Sequence, residues 1–161
     1  IANLALSLKG NTLILFQLVK KHGMILESII KEKIKLKYPE RKLFFIHGLT
    51  PGEERESIRS IVENEKDAII VASYGTFSTG VNIRNLHNVV FSSPSKSKIR
   101  VLQSIGRGLR LSNNKTDMTL YDISDDLRID KYINKTLEHF LARIKIYKSE
   151  QFKVSNYNIE L

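Results

Sequence analysis

Gln103, Arg107 and Arg110 recur at i, i+4 and i+7 in the stretch QSIGRGLR. A helix turns about 100° per residue, so this spacing puts all three on one face. Leu102, Ile105 and Leu109 fall on another face, suited to docking on a sheet. Two converging guanidiniums offer fixed forks of donors, which suit a polyphosphate or the charge on a transferring phosphoryl group. Gly106 and Gly108 would weaken the helix by about 1 kcal/mol each relative to alanine. They also remove bulk beside the arginines, so a ligand or another backbone can approach closely. The alternative for the same pattern is a surface helix with solvated arginines.

The elements that must hold this motif alternate along the chain. TLILF at 12–16, KLFFI at 42–46, DAIIVA at 67–72, NVVF at 88–91 and 118–123 read as short strands. Their continuous apolar character is that of strands covered on both faces. Helices are expected over 20–37, 50–63, from 97 onward and over 127–148. The first should bury Met24, Ile25, Ile29, Ile30, Ile34 and Leu36, and the last Ile129, Ile133, Leu137, Phe140, Leu141 and Ile144. Thr50, Pro51 and Glu53 read as a capped helix start. The Ser/Thr/Gly-rich segment 73–82 reads as a polar loop. Strands alternating with helices predict a three-layer α/β domain with a mostly parallel central sheet. The domain is expected over 1–150, with a C-terminal extension over 151–161.

Composition narrows the class. At 161 residues, 42% hydrophobic and 27% charged, the chain can bury a core without staples. It has no cysteine, which excludes disulfides and thiolate metal sites and fits a reducing, cytoplasmic setting. No apolar run reaches the roughly 18 residues of a membrane span, and no membrane partner is expected. Twenty-six Lys and Arg against 17 Asp and Glu leave a formal charge of +9, which favours a polyanionic partner. His22, His87 and His139 lack metal-ligand spacing, so no zinc site is expected. The chain begins with Ile1 and no targeting pattern follows, as in a mature, truncated or excised sequence.

In context the motif resembles motif VI of superfamily 2 helicases and translocases, Q-x-x-G-R-x-x-R. Upstream, IIVASYGTFSTGVNI at 69–83 resembles motif V, His47-Gly48 with Arg55 resembles motif IVa, and the strand 13–16 resembles motif IV. All four stand in family order. Within the family, the chain resembles a bacteriophage helicase of the recombination and branch-migration type. The resemblance implies the C-terminal one of two RecA-like domains, working on nucleic acid, with DNA favoured over RNA.

It further implies Arg107 and Arg110 as arginine fingers, Gln103 as a nucleotide-coupling residue, and Gly80, Asn82 and Gly106 beside the nucleotide. Asn82 stands where many relatives carry aspartate, and a ribose contact and a turn role are both open to it. Ser73, Thr76 and Thr79, with His47, Gly48, Lys96, Lys98 and Arg100, would meet the phosphate backbone. Tyr74 stands where a threonine is common. The sequence has no G-x-x-x-x-G-K-[ST]; Lys9-Gly10-Asn11-Thr12 has neither the spacing nor the order. ATP and Mg2+ are therefore expected to be bound mainly by an N-terminal RecA-like domain, and this chain alone is expected to be inactive. A duplex translocase subunit and a non-catalytic RecA-like binding module are the competing readings.

Overall fold

A computed structural model of the chain describes residues 1–80, 83–93, 97 and 118–159, with the backbone alone for residues 78–80. The described elements run α1 (Ala2–Ser7), β1 (Thr12–Phe16), a π-helical turn (Val19–Gly23) leading into α2 (Met24–Lys37), β2 (Leu43–Ile46), α3 (Gly52–Asn64), β3 (Ile69–Ser73), α4 (Tyr74–Gly80), β4 (Asn88–Phe91), β5 (Thr119–Asp122) and α5 (Lys135–Ser149).

The five strands form one parallel sheet in the order β2-β3-β1-β4-β5. β1 sits at its centre, paired Thr12 with Ile69 through Phe16 with Ser73 on one side and Thr12 with Asn88 through Leu15 with Phe91 on the other. Alternation along the strands divides the apolar residues between two cores. Leu13, Leu15, Ile70, Ala72, Val89 and Phe91 pack with residues of α3, α4 and α5 on one face. Ile14, Phe16, Ile69, Val71 and Val90 pack with α1 and α2 on the other. The connection through α2 steps from β1 past β3 to β2, while those through α3 and α4 step the opposite way over the opposite face. Opposite steps on opposite faces share one hand, as parallel crossovers require.

Four local expectations are corrected. In α2 only Ile30 and Ile34 are buried; Met24, Ile25, Ile29 and Leu36 are exposed, Leu36 by 82%. At 100° per residue Ile25, Ile29 and Leu36 lie within about 40° of one another, turned away from the Ile30 and Ile34 stripe. In α3 the expected cap does not form: Pro51 is the N-cap, and the Thr50 hydroxyl instead accepts the His47 N–H at 3.0 Å. The segment expected as a polar loop after Ser73 is helical, because Tyr74 and Phe77, three residues apart, both enter the core.

The last helix begins at Lys135, eight residues later than its apolar spacing indicates. Before it, Ile129 and Tyr132 bridge a tight turn whose Asp130 has φ 51°, and Ile129 is 73% exposed. Asn134 holds this turn, accepting the Leu127 N–H at 3.0 Å and donating to the Asp125 carbonyl at 2.9 Å. The short α1 carries too few residues for a periodic signal, yet its Ala5 and Leu6 are buried.

Candidate nucleotide and nucleic-acid interface

Because every strand is parallel, all five carboxyl ends meet at one edge, where open α/β sheets bind ligands. β3 delivers Ser73 there. Its hydroxyl lies 2.7 Å from that of Thr76 and accepts the Thr76 N–H at 3.3 Å, fixing the first turn of α4. Both side chains are buried. Tyr74 is also buried; its ring packs edge-on against Phe91 at 5.6 Å and its hydroxyl donates to the Ser93 carbonyl at 3.3 Å.

β2 delivers His47 and Gly48. The His47 ring lies 5.1 Å from that of Phe45, and its Nδ1 accepts the Leu49 N–H at 3.3 Å. Arg55, reaching back from α3, donates through Nε to the Thr50 carbonyl at 2.8 Å and through Nη2 to the Gly48 carbonyl at 3.3 Å. The guanidinium thus braces the loop from behind. A Cβ on Gly48 would meet nothing within 4 Å, so internal crowding does not require glycine there.

A third group was not legible beforehand. The Ser93 hydroxyl accepts the Gln17 N–H at 3.3 Å and bonds His22 Nδ1 at 3.0 Å. The Leu15 to Phe91 pairing brings the ends of β1 and β4 together, which makes these contacts possible. At the end of β5, Asp122 pairs with Arg143 and Tyr147 of α5. Burial by itself would lower the Arg143 pKa, but hydrogen bonding and attraction to Asp122 outweigh it and the net shift is upward. Burial, then the Asp122 carboxylate, push the Tyr147 phenol well above its ordinary range.

The stretch around Asn11 works at the opposite edge. Gly10 has φ 85° and lies where a Cβ would come within 2.8 Å of the His87 side chain. Asn11 accepts the Ala68 N–H and donates to the carbonyls of Val62, Glu65 and Asn85. Lys9 to Thr12 is therefore an anchor for the amino edge of the sheet.

Of the residues singled out from sequence, Ser73, Thr76, His47 and Gly48 all lie at the carboxyl edge. Thr79 and Gly80 lie in α4. Asn82, Lys96, Lys98, Arg100, Gln103, Gly106, Arg107 and Arg110 lie outside the described residues. Among the described residues, no group of three or more His, Asp or Glu is arranged to hold a metal ion. Nor is any described helix long and apolar enough to cross a membrane.

The model of the helicase conserved C-terminal domain matches residues 1–112. The chain belongs to the helicase C-terminal domain family. It is 38% identical over 165 residues to the ATP-dependent DNA helicase uvsW of Enterobacteria phage T4, covering 94% of this chain. It is 31% identical over 93 residues to putative helicase 22 of Sulfolobus islandicus filamentous virus, covering 56% of this chain. The helicase domain spans 32% of the T4 protein and 16% of the viral one.

The crystal structure of T4 UvsW superposes with a TM-score of 0.73, again over 94% of this chain and 32% of that one. Domain 2 of the DEAD-box helicase Mss116p, solved bound to an RNA duplex, superposes at 0.66 with 17% identity, over 94% of this chain and 53% of that one. The latter likeness is one of fold. The helicase domain thus has the RecA-like architecture of these neighbours; the stretch that resembles motif IV lies in β1, His47 and Gly48 directly follow β2, and the described part of the stretch that resembles motif V starts with β3 and α4.

Proposed function

We propose that this helicase domain is the second motor domain of an ATP-dependent DNA helicase that unwinds or branch-migrates DNA in recombination and repair. The carrying observation is 38% identity to a phage ATP-dependent DNA helicase over 94% of the chain. In this reading an N-terminal RecA-like domain binds ATP and Mg2+ and supplies the Walker lysine and the water-activating carboxylate. ATP draws the two domains together across the carboxyl edge, and release reopens them. Arg107 and Arg110 then stabilise charge on the γ-phosphoryl oxygens, and Gln103 couples nucleotide state to the cleft. Gly80, Asn82 and Gly106 stand beside the nucleotide.

His47, Gly48, Thr79, Lys96, Lys98 and Arg100 hold the DNA backbone, contacts that position without reading sequence, while Ser73 and Thr76, buried and bonded to each other, serve that grip by fixing the start of α4. The Gly48 loop supports this: nothing inside the chain requires its glycine, whereas a closely approaching strand would.

The test is ATP hydrolysis and strand displacement by the full-length protein, set against triplex displacement. DNA-stimulated hydrolysis with strand separation is expected. Triplex displacement without strand separation would identify a duplex translocase instead, and no DNA-stimulated hydrolysis would defeat the motor reading altogether.

A further inference from the structure

A buried polar cluster lies just beneath the carboxyl edge. Asp122, the last residue of β5, accepts Arg143 Nε at 2.7 Å, Arg143 Nη2 at 2.6 Å and the Tyr147 hydroxyl at 2.6 Å. Arg143 and Tyr147 are four residues apart on α5 and so share a face. The side chains of Arg143 and Asp122 are 1% and 8% exposed. The guanidinium also lies 6.0 Å from the centre of the Phe140 ring.

Tyr147 packs in the same core as Tyr74 and Phe91. Tyr74 opens α4, rests on Phe91 and bonds the Ser93 carbonyl. α5 is therefore tied to the end of β5 by Asp122, and Tyr147 shares its core with Tyr74, which reaches the carboxyl ends of β3 and β4.

A pair this deeply buried is a poor device for stability. Removing both charges from water consumes much of what their attraction returns, and apolar side chains of similar volume often hold a fold as well or better. What apolar packing does not reproduce is direction. The two N–H bonds of the fork fix both the distance and the angle of α5 against the end of β5.

We infer that Asp122, Arg143 and Tyr147 are positioning residues of the motor, keying α5 to the sheet and thereby setting the placement of Tyr74, the start of α4 and Ser93 at the working edge. This rests on the motor reading for its consequence in catalysis. The consequence for geometry stands apart from it.

The experiment compares the full-length protein with D122L/R143M, which removes the charges but keeps apolar volume, and with R143K, which keeps charge but loses the fork. The readouts are unfolding temperature, DNA-stimulated kcat and KM for ATP, and hydrogen exchange of the α4 amides. D122L/R143M is expected to stay cooperatively folded with an unfolding temperature near the parent's, since removal of the buried charges offsets the acceptor that the Tyr147 hydroxyl loses. Its DNA-stimulated kcat should fall about 10- to 100-fold, as for small displacements of catalytic groups, with KM little changed and α4 exchanging faster. R143K should show the same kcat loss in smaller measure.

Parent-like kcat and α4 protection in a folded D122L/R143M would overturn the inference. Should that variant fail to fold, parent-like kcat and protection in R143K would overturn it equally. If the parent itself shows no DNA-stimulated hydrolysis, the motor reading fails, and α4 exchange in the variants alone decides the positioning role.

Discussion

Ser93 Oγ lies 3.0 Å from His22 Nδ1 across 71 residues of sequence. The contact exists because β1 and β4 run parallel in register, so the residues just beyond Phe16 and Phe91 emerge side by side. Ser93→Ala removes the partner of His22 and the acceptor of the Gln17 N–H. Both contacts are only part-buried, so their loss is that of ordinary hydrogen bonds, about 0.5–1.5 kcal/mol each. Urea unfolding should show a loss in that range, and a stability equal to the parent's would mean the contact does not hold the edge.

Gly23 is expected to resist substitution. A Cβ there would lie 2.5 Å from Phe16 Cζ, and Phe16 is fully buried and stacked on Phe45 at 5.6 Å. The ring has no room to retreat, so Gly23→Ala should destabilise by about 1–3 kcal/mol, the usual penalty of overpacking. A raised unfolding temperature, as helix propensity alone would give, is the contrary result.

Tyr147→Phe carries a pH signature. Burial, then Asp122, hold the phenol protonated far above its ordinary value of about 10. Past pH of about 10 the unfolded chain sheds this proton while the folded chain keeps it, so this contribution to stability is complete below that pH and is lost as pH rises. At pH 8 the variant should be less stable by about 1.5–3 kcal/mol, the usual range for a hydrogen bond to a charged group. The gap between parent and variant should then narrow from pH 10 upward. A gap that stays constant between pH 8 and 11 would contradict the assignment.

Lys98→Ala and Arg100→Ala should each weaken DNA binding to a similar extent for all sequences. If both meet phosphates, each should lower the slope of log affinity against log salt by about one. Ser73→Ala and Thr76→Val should weaken binding through a loosened start of α4, with little change in that slope, since neutral buried hydroxyls release no counterions. Unchanged affinity in the hydroxyl variants, with only a loss of stability, would limit the Ser73 and Thr76 pair to holding α4.

The sheet was legible because TLILF, LFFI, IIVAS and NVVF are apolar runs too short for helices and bounded by turn residues, three of them buried throughout and the edge run LFFI in part. Apolar spacing starts α5 too early because Ile129 and Ile133 fall on helical spacing by coincidence. The side chain of Asn134 and the left-handed Asp130 decide otherwise. The buried helix after Ser73 was hidden by its Ser, Thr and Gly content, since two aromatic residues three apart give too short a signal. Site chemistry was readable as motifs, but the contacts between them were not. Ser93 with His22, and Asp122 with Arg143, join residues whose proximity depends on register and helix docking, and no local pattern encodes either.

The arginines of QSIGRGLR carry the central claim. The most direct measurement is DNA-stimulated ATP hydrolysis by the full-length protein and its Arg110→Ala variant, both confirmed folded by their unfolding temperatures. An arginine finger predicts a fall in kcat on the order of 10³ or more. A DNA-stimulated rate equal to the parent's would contradict the account.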